Sequence, residues 1–190
     1  QALSAAGVDE DEDLFSPVPR AFRRRVVWLG INLGTAFLAS SVVGQFQGAI
    51  DQIVALAVLM PIVAGMGGNA GTQVLALMVR GLALGQVGAA NVKPLLWKEI
   101  RVALMNGLVI GGIVAVATFL WFRQPGLSLV IGAAMVINLL SAASAGVLVP
   151  LTLKRMNLDP ALAGGVILTT VTDVMGFLSF LGLATLVLVR

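Results

Sequence analysis

The chain has 190 residues, 58% of them hydrophobic and 11% charged, with a net charge of +3. Soluble domains carry about 25% charged residues, so this composition excludes a water-soluble globular protein and predicts an all-α integral membrane protein. There is no cysteine and no histidine, which excludes disulfides, thiolate metal sites and the usual neutral-pH base.

Residues 1–22 hold an acidic run, "VDEDEDLF", where a cleavable signal would need an apolar core. The chain opens on Gln1 instead of Met and reads as a segment of a longer protein. After "RAFRRR" the apolar spans begin. A bilayer core about 30 Å thick needs about 20 apolar helical residues, and five segments qualify. The first runs from Val26 to Phe46, and the second from Ile53 to Leu84. The third covers Ile100 to Phe122, the fourth Leu127 to Leu153, and the fifth Ala161 to Val189. All are apolar around their whole circumference, as spans are and surface helices are not. Gly30 and Gly34, Gly81 and Gly85, and Gly107 and Gly111 sit four apart, a spacing that suits close helix packing within one chain. No internal repeat is visible, so a two-fold axis would need a second copy.

With the N-terminus cytoplasmic, ten Lys and Arg residues lie inside and only Arg123 and Arg190 outside. That bias puts the C-terminus outside. The basic residues flank apolar segments, which argues for a membrane surface and against nucleic acid.

Within the second span, "MPIVAGMGGNAGTQ" combines Pro61 with Gly65, Gly67, Gly68 and Gly71, all of which weaken a helix. Two readings stand. The helix is broken and its freed carbonyls face an ion or its waters, or it is a kinked, tightly packed helix whose polar groups hold neighbours. Asn69, Thr72 and Gln73 add neutral oxygens.

The fifth span carries "ILTTVTDVMGF". Of nine acidic residues, only Asp173 lies deep in a span. A charge at mid-bilayer costs roughly 2.5–3.5 kcal/mol on insertion scales, and such residues mark ion paths by default. The structural alternative is a neutral Asp173, or one hydrogen-bonded to Thr169 or Thr170. One carboxylate with carbonyls, amides and hydroxyls is a hard donor set, suited to Mg2+, Ca2+ or Mn2+ rather than Zn2+ or Cu+. Two symmetry-related Asp173 side chains would match a divalent charge around a largely hydrated ion.

"PIVAGMGGNAGTQ" followed by "RGLALG", and "DPALAGG" followed by "TTVTDVMGF", resemble the membrane domain of the MgtE family of magnesium channels over nearly the whole chain. The resemblance implies a homodimer with the pore on the two-fold axis, lined mainly by the second and fifth spans. It implies an ion-site aspartate at Asp173, contributing carbonyls at Gly65, Gly68 and Thr169, and Asn69 and Thr72 nearby. Many relatives carry Pro where this chain has Val166, and some carry Asn where it has Gly165. It further implies that residues 1–22 end a cytosolic connecting, plug-like helix. Residues 23–190 would form the five-helix pore domain, and the cytosolic Mg2+-sensing and CBS domains of family members are absent here.

The expected function is therefore a channel domain admitting Mg2+ through the inner (cytoplasmic) membrane, with Mn2+, Co2+ and Ca2+ as competing hard cations. The alternatives are a Na+- or H+-coupled divalent carrier and an assembly module without transport. An enzyme is not expected, because a single membrane carboxylate offers no acid–base pair.

Overall fold

In a computed structural model, residues 17–88 and 91–189 are described. The acidic run Asp9 to Asp13 and most of the expected plug-like segment lie outside them. Among the described residues six helices follow one another: α1 (Val18–Gly44), α2 (Gln47–Gln52), α3 (Ala55–Ala83), α4 (Val92–Phe122), α5 (Pro125–Arg155) and α6 (Pro160–Leu188). No strand occurs among the described residues. Five of the helices, all but short α2, are long and apolar enough to cross a membrane, so the chain is a multi-pass, all-helical membrane protein.

The helix ends follow local chemistry. Pro125 and Pro160 open α5 and α6 at the first helical position, where a missing N–H costs nothing. Asp159 caps α6 by accepting the Ala161 N–H at 2.8 Å. α3 stops at Gly85, whose φ of +67° lets the Gln86 N–H reach back to the Gly81 carbonyl at 2.9 Å. Asn157, with φ of 57°, ends α5 the same way, the Leu158 N–H bonding the Leu153 carbonyl at 2.9 Å. Both closures satisfy carbonyls that the last turn leaves open.

Two expectations change. The third span begins at Val92, well before Ile100, so Lys93, Lys98 and Glu99 are already helical. More consequentially, α3 is one unbroken helix from Ala55 to Ala83 with Pro61 inside it. A proline withholds one N–H, here the partner of the Ala57 carbonyl, and leaves the next turns able to bond normally. Of the glycines that weaken α3, Gly67 is packed by Asn138 of α5 and Gly71 by Leu168 of α6.

α5 is the most buried span and packs against α3, α4 and α6, while α3 and α4 scarcely touch. The core joins Leu56, Leu59 and Val63 of α3 to Ile131 and Met135 of α5 and Phe180 of α6. Of the four-apart glycine pairs, Gly107 and Gly111 do pack helices. A Cβ on Gly111 would lie 2.8 Å from the Gly132 carbonyl oxygen, whereas Gly30 and Gly34 have nothing within 4 Å. α1 packs mainly against α6, leaving Val27, Leu29, Leu33 and Phe37 exposed in the manner of lipid-facing side chains.

Candidate ion-conducting face

α3 and α6 carry every residue singled out for ion contact, and their packing fixes the relative heights. A Cβ on Gly176 would meet Val63, one on Gly71 would meet Leu168, and one on Gly164 would meet Leu75. These pairs keep a constant antiparallel offset, so Asp173 is level with Met66, within a turn of Gly65 and Gly68. Thr169 falls level with Ala70, between Asn69 and Thr72. The structure thus brings the two motifs to one depth although a hundred residues of chain, roughly, separate them.

Each helix divides its faces cleanly. On α3, Val63, Gly67, Gly71 and Val74 are buried, while Gly65, Asn69, Thr72 and Gln73 are exposed. These open positions follow the i, i+4, i+7 spacing of one helical face. On α6, Leu168, Thr172 and Gly176 are buried, Thr169 is exposed and Asp173 is half-buried. The result is a polar strip with a carboxylate at its edge.

The hydroxyls are already engaged as donors. Thr72 Oγ1 donates to the Gly68 carbonyl at 2.8 Å, and Thr169 Oγ1 to the Gly165 carbonyl at 2.6 Å. Thr170 Oγ1 donates to the Val166 carbonyl at 2.7 Å. Neither threonine therefore holds Asp173, the structural role considered from sequence. Among the described residues Asp173 has no hydrogen-bond donor and no cationic partner. With their protons turned to backbone, the hydroxyls present lone pairs to anything in front of the strip. Gly65 and Gly68 have open space where a side chain would be, so their backbone is exposed without any break in the helix. The smallness of glycine, not its flexibility, opens this wall.

Behind the strip lies a residue that sequence reasoning did not single out. Asn138 of α5 is fully buried, and its Nδ2 donates to the Val63 carbonyl at 2.8 Å. A carbonyl can only accept, so the amide nitrogen must face it. Among the described residues Asn138 Oδ1 is buried without a hydrogen-bond partner, at a cost of about 1–3 kcal/mol. The amide touches both α3 and α6: a Cβ on Gly176 would lie 2.8 Å from Nδ2, and one on Gly67 would overlap it. Its signal in the sequence was a single amide within "AAMVINLLSAA".

A cavity of ≈ 430 Å3 lies elsewhere, between the α3–α4 loop and the start of α4, lined by Met78, Gln86, Asn91 and Glu99 among others. It contains none of the expected site residues. Glu99 there pairs with Lys98 at 3.2 Å.

Residues 60–183 match the family model of MgtE, a divalent cation transporter. The chain is 32% identical over 185 residues to the magnesium transporter MgtE of Bacillus subtilis, covering 97% of this chain and 41% of that protein. It is 32% identical over 181 residues to its namesake from Enterococcus faecalis, covering 95% and 40%. With the Thermus thermophilus magnesium transporter MgtE the identity is 33% over 164 residues, covering 86% and 36%. The chain spans about 40% of the length of these relatives.

Proposed function

This chain belongs to the MgtE family of divalent cation transporters, and from that premise we propose that it is the membrane pore domain of a Mg2+ channel. The reading is carried by the polar strip of α3 and α6 with Asp173, which has no partner among the described residues. A carboxylate and the side-chain amides of Asn69 and Gln73 on an outer face are costly against lipid, where polar groups must find partners or water. They are at home when a second copy faces them across a water-filled pathway on a two-fold axis.

One carboxylate per chain gives two per homodimer. Mg2+ sheds its waters reluctantly and is held through one or two carboxylates plus water, so paired Asp173 side chains suit a hydrated ion. Gly65, Gly68 and Thr169 offer carbonyl oxygens to its water shell, and Asn69 and Thr72 offer an amide and a hydroxyl. Nothing in this donor set is soft, so Mn2+, Co2+ and Ca2+ compete on size and hydration. The Lys and Arg bias orients the N-terminus to the cytoplasm and the C-terminus outward. An interior-negative potential then draws cations inward across the cytoplasmic membrane, worth about 2.3 kcal/mol per charge per 100 mV. In the whole protein, cytosolic Mg2+-sensing and CBS domains would govern this pore.

The test is Mg2+ uptake into liposomes holding the purified protein and an internal Mg2+ dye. Wild type should take up Mg2+, and Asp173→Asn should lose roughly tenfold or more of the rate. Equal rates would overturn the reading. Imposed Na+ and pH gradients should leave the flux unchanged; a dependence on either would replace the channel with a coupled carrier.

A further inference from the structure

We propose that Asn138 is a positioning residue of the conducting face: its amide sets the separation and register of α3 and α6, and so the placement of Asp173 against Gly65 and Gly68. This rests on the function proposed above. Asn138 never reaches the strip, being fully buried on α5, so it acts only through the two helices that do.

Three observations converge on it. Asn138 Nδ2 is anchored to the Val63 carbonyl at 2.8 Å, on the turn before Gly65 and Gly67. The amide is seated where only glycine leaves room, at Gly67 on α3 and Gly176 on α6. Gly176 is one turn beyond Asp173, so the wedge lies beside the carboxylate's level rather than at a remote end of the bundle.

Stability does not account for the amide. In the continuous α3 helix the Val63 carbonyl already accepts the Gly67 N–H, so the bond from Asn138 satisfies nothing that would otherwise be orphaned. Oδ1 meanwhile stays buried without a donor. A branched apolar side chain of the same heavy-atom count would remove that orphan, and replacing such a group is often neutral or stabilising. What an apolar side chain cannot supply is a directional tie to one particular carbonyl. Thr172, buried in the same layer of α6, donates to the Thr169 carbonyl at 3.0 Å, one of the oxygens assigned to the strip.

The experiment compares wild type, Asn138→Leu, and the double variant Asn138→Ala with Gly67→Ala, which moves a methyl group into the space the amide vacates. Melting temperature in detergent, liposome flux ratios of Mg2+ to Ca2+, and helix separation are measured on each. Because the chain has no cysteine, Ile62→Cys with Phe177→Cys gives a unique spin-label pair spanning α3 and α6, read in dimers diluted with unlabelled protein. Asn138→Leu should melt at or above wild type. Its Mg2+ to Ca2+ ratio should fall roughly tenfold, since displacements near 1 Å have effects of that order or more, and the label distance should shift or broaden. Should the leucine variant fail to fold, the double variant decides by the same readouts. Unfolding of both marks Asn138 as purely structural and overturns the proposal, as does an unchanged label distance or flux ratio in a folded variant. The label distance needs no transport. A wild type without Mg2+ flux therefore refutes the channel and leaves the positioning role to be judged by separation alone.

Discussion

Asp159 and Asp173 share α6 and do opposite things to its stability. Asp159 satisfies an open N–H at the helix start, so Asp159→Ala should destabilise by about 0.5–2 kcal/mol, the usual loss of an N-cap. Its Mg2+ uptake per folded molecule should be preserved. Asp173 has no partner among the described residues and lies mid-span, so Asp173→Asn removes a charge that the fold does not need. That variant should melt no lower than wild type while losing uptake. Thermal melts and liposome flux on both variants check the pair; a marked drop in melting temperature for Asp173→Asn would turn the aspartate into a packing residue. Asp173 was legible in sequence because a carboxylate inside an apolar run is conspicuous and costly. Asn138 was not, because a neutral amide among serines and alanines stands out less. Its neighbours Gly67 and Gly176 become adjacent only through folding.

At the scale of the helices, the five spans were legible because length and apolar character around the whole circumference are local properties. The continuity of α3 was not. Pro61 and four nearby glycines give the local signal of a break, yet tertiary packing overrides intrinsic propensity, and here α5 and α6 pack into the notches at Gly67 and Gly71. Gly146 of α5 seats against Val74, with a Cβ there only 2.7 Å from the valine Cβ, and Leu168 of α6 seats against Gly71. Glycine in this bundle is thus mostly a spacer, and its substitution should cost according to what lies opposite. Gly111→Ala meets a backbone oxygen of Gly132 at 2.8 Å, which cannot swing aside, and should destabilise by about 1–3 kcal/mol. Gly30→Ala meets nothing within 4 Å and should gain up to about 1 kcal/mol of helix propensity. Melting temperatures in one detergent order the two; a Gly30→Ala variant as unstable as Gly111→Ala would place another helix against that face of α1.

For the whole molecule, the decisive feature is what one chain leaves uncovered. Most of the outer surface is plain lipid-facing apolar helix, with Val116 of α4 60% exposed, Leu129 of α5 73% and Leu186 of α6 83%. The α3–α6 face departs from this, with Asn69, Thr72, Gln73 and Thr169 exposed beside Asp173. Among the described residues no hydrogen bond satisfies the side chains of Asn69, Gln73 and Asp173, and no three acidic side chains cluster into a site within one copy. Sequence could hint at this only by lacking a repeat, because exposure is a property of the folded bundle. A second copy related by a two-fold axis would bring the strip against itself, residue by residue, as an isologous interface requires. Ala76 lies on the exposed side of α3, one heptad beyond Asn69, and is outside the assigned ion contacts. In the cysteine-free chain, Ala76→Cys should therefore link to its twin through a short bismaleimide in native membranes, giving a band at twice the mass on denaturing gels. Val116→Cys, on the far side of the bundle, should remain at the single mass under the same treatment. Linking at 116 but not at 76 would place the axis on α4 and separate Asp173 from its twin, and the paired-carboxylate site would fall with it.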